Sequence, residues 1–111
     1  MTHAEAAQAI YEVYPRHRDR RKALAQIEKA LVRLERGECG RKMRADEAQR
    51  FLRDVTKNFA RSPAGSRGMY TPYPGTWYGR AGYLDDKDDW EFITREEYQE
   101  IERRREALVG T

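Results

Sequence analysis

The segment YTPYPGTWYGRAGYLDD, Tyr70–Asp86, decides how this chain is read. It carries Tyr70, Tyr73, Trp77, Tyr78 and Tyr83, and no acid before Asp85. Pro72 and Pro74 lack backbone donors, and Gly75, Gly79 and Gly82 weaken helical order, so a long helix is excluded. The segment is also too aromatic for a disordered linker. The expectation is an ordered, irregular loop pinned by its rings, either to the protein's own helices or to a partner such as nucleic-acid bases.

Outward from this segment, the N-terminal side reads as helical. Thr2 followed by Glu5 forms a capping box, and Ala6, Ala9, Ile10 and Val13 recur at helical spacing until Pro15 forces Tyr14 out of the helix. A second helix is predicted from about Asp19 to Arg36, with Ala23, Leu24, Ile27, Ala30, Leu31 and Leu34 as its apolar stripe and Gly37 beyond its end. A third is predicted from about Ala45 to Ala60, burying Ala48, Phe51, Leu52, Val55 and Phe59. Ser62–Gly68 reads as a flexible, protease-sensitive linker. Past the aromatic loop, Thr94 and Glu97 form a second capping box for a final helix to about Leu108. The fold class is therefore all-α: a small bundle of about four helices with an ordered Pro/Gly-rich aromatic loop before the last. The chain reads as one domain, with a three-helix core over 1–61, linker and loop over 62–93 and a C-terminal helix over 94–110.

Composition narrows the function. The 111 residues are 39% hydrophobic and 37% charged, so the core is thin and the surface ionic. Cys39 is the sole cysteine, which excludes an internal disulfide and fits a reducing, cytoplasmic setting. No apolar run reaches the ~20 residues that cross a bilayer, so no membrane role is expected. The net charge of +3 hides an asymmetry: residues 15–67 carry +9, and residues 80–111 carry −4. A basic middle and an acidic end point to two faces with different partners, or to one folding against the other.

The motifs Ile10-Tyr-Glu-Val-Tyr14-Pro15-Arg16, then a basic stretch and Ala23, and later Tyr70-Thr-Pro-Tyr-Pro-Gly-Thr-Trp77, with Arg80 and the pair Trp90-Glu91, resemble a helical module of phage and mobile-element replication proteins. The resemblance spans about residues 8–91. It departs at Tyr78, where the family usually has leucine, and in the longer acidic spacer before Trp90. The resemblance implies a small helical module that works around DNA replication or its host machinery.

Candidate binding residues follow from charge and rings. Arg16, Arg18, Arg20, Arg21 and Lys22 crowd the start of the second helix, where cations oppose the helix dipole; arginine forks suit an anionic partner, or the cluster is a solvated face partly neutralised by the acidic end. Arg50, Arg53, Lys57 and Arg61 form one stripe on the third helix, which suits a phosphate backbone or is simply its wet side. Tyr73, Trp77, Tyr78, Arg80 and Tyr83 are candidates for stacking or partner docking; for Trp77 and Trp90 core packing is the favoured alternative. The cluster Asp85, Asp86, Asp88 and Asp89 lacks calcium-loop spacing and reads as a charged turn. His3, His17 and Cys39 do not make a zinc site, and there is no phosphate-loop or nucleophile-elbow motif, so no cofactor, metal or catalytic residue is expected. Two readings remain: a non-enzymatic nucleic-acid-associated module, with DNA the expected partner, or a small phage-encoded adaptor or inhibitor that binds a host replication or defence protein without touching DNA.

Overall fold

The computed structural model describes residues 1–86, Trp90 and Arg103, and the account below concerns those. Helix α1 spans His3–Val13, α2 Arg20–Glu35, α3 Ala45–Arg61 and α4 Pro74–Gly79, with single 3-10 turns at Gly68–Tyr70 and Gly82–Leu84. Among the described residues there is no strand, and no helix is long and apolar enough to cross a membrane. The protein is a small all-helical bundle.

Both ends of α1 and the C-terminal end of α2 are set by local chemistry. The Thr2 hydroxyl accepts from the Glu5 amide at 3.1 Å, and the Glu5 carboxylate accepts from the Thr2 amide at 3.2 Å, completing the capping box. Hydrogen bonding from Thr2, its amide first and then its hydroxyl, holds the exposed Glu5 carboxyl below its ordinary range. Tyr14 is extended, with ψ 137°, as the following Pro15 requires. Gly37 takes φ +104° after α2, a left-handed turn that glycine adopts without strain.

Side-chain contacts fix the helix directions. His3 meets Glu35 at 2.8 Å, so α1 and α2 run antiparallel. Gln49 donates to the Met1 carbonyl at one end, and the Tyr14 and Phe59 rings lie 5.9 Å apart at the other, so α1 and α3 run parallel. The start of α2 therefore shares one end of the bundle with the last turns of α1 and α3.

The aromatic segment corrects the expectation of an irregular loop. It contains α4, with Pro74 at the first helical turn, where a missing N–H leaves no bond unmade. Trp77 is the hub of the core: its ring lies 4.5 Å from Phe59, 4.9 Å from Tyr78, 5.6 Å from Tyr14 and 6.2 Å from Trp90. Such ring pairs add about 0.5–1.5 kcal/mol each beyond burial. The residues 62–68, read as a flexible linker, are packed. Ala64 and Gly65 are buried, and the Thr71 hydroxyl reaches the carbonyls of Ala64 and Gly65 at 3.2 and 3.1 Å. A β-carbon on Gly65 would stand 1.9 Å from the Phe59 carbonyl oxygen, so only glycine fits. The predicted final helix over 94–110 lies outside the described residues.

Candidate nucleic-acid interface

The two basic groups found in the sequence meet only in part. Asp19 precedes α2 in a left-handed conformation (φ +53°), and its side chain does not cap the helix. The first amides of α2 are thus left without a side-chain acceptor, on residues that are themselves Arg20, Arg21 and Lys22. Arg18 and Arg21 are exposed and have no hydrogen bond or ion pair among the described residues. Arg20 turns back to α1, donating to Gln8 at 2.5 Å. Lys22 lays its stem on α4, where a β-carbon on Gly75 would come within 3.2 Å of it, while the residue as a whole stays exposed.

Arg16 departs from its expected role. Its guanidinium donates to the carbonyls of Met69 and Thr71 at 2.7 and 2.8 Å and lies 4.4 Å from the centre of the Tyr73 ring. It ties the end of α1 to the aromatic segment. Beside it the Tyr14 hydroxyl donates to the Pro72 carbonyl at 2.8 Å. The two motifs that stand more than fifty positions apart in sequence are thus one joint in space.

On α3 the basic stripe faces away from the buried Leu52, Thr56 and Phe59. Its first half is diluted by acids: Asp46 sits 3.9 Å from Arg50, and Arg53 lines a small groove against α1 together with Asp54. Its second half, Lys57 and Arg61, has no hydrogen bond or ion pair among the described residues and reaches the end where α2 begins.

The aromatic candidates divide sharply. Trp77 and Tyr78 are 0% exposed and Tyr83 is 3%, which corrects their assignment as stacking or docking residues: no base or partner side chain reaches them. Tyr78 shares a 2.6 Å hydrogen bond with the buried Thr56 hydroxyl, and Tyr83 donates to Glu38 while accepting from Arg33 at 3.0 Å. Burial pushes the hydroxyls of Tyr14, Tyr78 and Tyr83 well above the usual tyrosine range. Tyr73 remains 44% exposed, with Arg80 also at the surface, close enough for its charge to act on the Tyr14 hydroxyl. Met69 (72% exposed) and Tyr70 (40%) adjoin Tyr73, and of this exposed apolar feature only Met69 goes unmarked by the sequence.

No protein-family model, curated protein or solved structure matches this chain.

Proposed function

We propose that this protein is a non-enzymatic module that binds nucleic acid through its phosphate backbone, at the bundle end where α2 begins and α3 finishes. The observation that carries the reading is that the helix directions bring Arg18 and Arg21, at the start of α2, to the same end of the bundle as Lys57 and Arg61, in the last turns of α3, all four without partners among the described residues. Two further features support it. The uncapped first turn of α2 adds backbone donors and the positive end of a helix dipole beside those cations. The described salt bridges involve none of the four, although Arg33, Arg41, Arg44 and Arg50 all have acidic neighbours. The resemblance of residues 8–91 to phage and mobile-element replication modules supports DNA as the nucleic acid, in a setting of phage replication within a host cytoplasm.

The chemistry required is modest. Arginine forks bond phosphate oxygens, condensed counterions are released, and affinity falls with salt. About four neutralised phosphates on a single strand give a roughly fiftyfold loss of affinity for a fourfold rise in salt. A salt-titrated anisotropy measurement on labelled oligonucleotides tests this. Arg18→Glu combined with Arg61→Glu is expected to weaken binding and flatten the salt slope, whereas Arg41→Glu, at the opposite end, leaves both as they were. Binding indifferent to salt and to the double reversal overturns the reading. Capture of a stoichiometric protein from nuclease-treated lysate by a chain that binds no oligonucleotide favours the adaptor reading instead.

A further inference from the structure

The cations account for phosphates and leave unexplained why the exposed apolar side chains gather beside them. Apart from Met1 and Leu84, the large exposed hydrophobics of the described chain are Met69, Tyr70 and Tyr73, all within five residues. Tyr70 also lines a cleft of about 290 Å³ whose wall includes the rings of Phe59 and Trp90 and whose polar members are Arg67, Arg80 and Asp85. That volume sits at the lower edge of small-molecule pockets, about 300–1,000 Å³. Tyr73 stands on the same segment with the Arg16 guanidinium over its ring, and Arg16 is itself held by the carbonyls of Met69 and Thr71. The result is an exposed aromatic plate that is fixed in position, next to a ring-lined cleft, on the basic end of the bundle.

Resting on the nucleic-acid reading, we propose that this segment receives unpaired bases, so that the ligand is single-stranded rather than duplex nucleic acid. A paired and stacked base offers its ring faces to its neighbours in the duplex and has none left for Tyr73. A single strand offers every face, and an aromatic plate among cations is the arrangement that such strands bind. Arg16 strengthens the platform twice: its hydrogen bonds immobilise the Met69–Thr71 backbone, and its charge over one ring face leaves the exposed part of Tyr73 to the ligand. Arg18, Arg21 and Arg61 then hold the phosphates on either side of the stacked base. The cleft beside Tyr70 takes a second base, with Arg80 at hand for its edge or its phosphate.

Three probes of equal length, about 16 nucleotides, separate this inference from the reading beneath it: an intact single strand, a strand of abasic sugar-phosphates, and a hairpin duplex. At one salt concentration the intact strand is expected to bind at least fivefold tighter than the abasic strand, which carries the same charge without rings. Tyr73→Ala brings that ratio toward one, and Tyr73→Phe, which keeps the ring, restores it. Equal affinity for intact and abasic strands, or tighter binding of the duplex, overturns the single-strand inference and leaves phosphate binding standing. Failure of all three probes to bind removes both.

Discussion

The buried pair Thr56 and Tyr78 gives the sharpest test of how the aromatic segment is held. Both side chains are 0% exposed, their oxygens are 2.6 Å apart, and the Thr56 hydroxyl also lies 2.7 Å from the Leu52 carbonyl. Two protons must be placed. Only one arrangement satisfies both: Tyr78 donates to Thr56, and Thr56 donates to Leu52. The consequences of truncation are then unequal. Thr56→Val strands the Tyr78 O–H in the core without an acceptor, which costs about 2 kcal/mol. Tyr78→Phe removes the donor, while Thr56 keeps its own bond to Leu52, and the loss is about 1 kcal/mol. The double variant has no orphaned group and should resemble Tyr78→Phe alone, far short of the sum of the singles. Urea unfolding followed by far-ultraviolet circular dichroism measures all three, and thermal midpoints should drop by roughly 4 °C per kcal/mol. Additive losses, or a larger loss for Tyr78→Phe than for Thr56→Val, refute the proton arrangement and with it the account of α4 as locked to α3.

Other outcomes follow from the same contacts. Gly65→Ala is expected to destabilise the chain by about 3 kcal/mol, since its β-carbon meets backbone rather than a movable side chain; trypsin should cleave after Arg61 or Arg67 much faster in the variant than in the parent. Arg16→Lys keeps the charge and is nevertheless expected to cost about 1–2 kcal/mol in a thermal melt, because a lysine cannot reproduce the guanidinium's two carbonyl bonds and ring contact. Tyr14, Tyr78 and Tyr83 hold their protons more tightly folded than unfolded. Their contribution is complete below the unfolded value near 10 and is lost as pH climbs above it, at about 1.4 kcal/mol per pH unit for each tyrosine. Stability measured in urea should thus decline steeply above about pH 10, and a Tyr83→Phe variant should decline less.

Helices α1, α2 and α3 were legible because their apolar spacing is regular and their ends carry strong local signals: the Thr2–Glu5 box, Pro15 and Gly37. The aromatic segment was not, and the reason is positional. Pro74 reads as a breaker by composition, yet at the first turn of a helix a proline loses nothing. A helix as short as α4 also carries little periodicity, and its stability comes from packing rather than propensity. The fates of Tyr78 and Tyr83 were hidden for another reason. Their partners are polar residues elsewhere in the chain, the buried Thr56 for Tyr78 and the part-exposed Arg33 and Glu38 for Tyr83, and such polar partners leave no mark in a hydrophobic pattern. Arg16 was misjudged likewise, because a row of arginines does not reveal which one finds carbonyls to bind. Thr56 was the one available hint, an uncharged polar residue at a core position of α3.

These corrections change what the paired motifs are for. Tyr14-Pro15-Arg16 and Tyr70–Trp77 meet through one tyrosine hydroxyl, two arginine bonds and a cluster of rings, all made within the chain. Residues engaged in this way have little left to offer a ligand. Pro15 turns the chain so that Tyr14 enters the core while Arg16 leaves it. Pro74 starts α4 at the point that sends Trp77 and Tyr78 inward. The motifs therefore specify a joint, and the joint in turn presents Tyr73 and the Met69–Tyr70 rim at the basic end. By this reasoning a change at an inward-facing residue of the joint, Tyr14, Trp77 or Tyr78, should act on binding only through stability. Changes at Arg18, Arg21, Arg61 and Tyr73 should act on binding with the fold intact. The two classes are separable by measuring unfolding and oligonucleotide affinity on the same set of variants: Arg16→Lys falling with the binding class, at undiminished stability, would reverse the assignment of the joint.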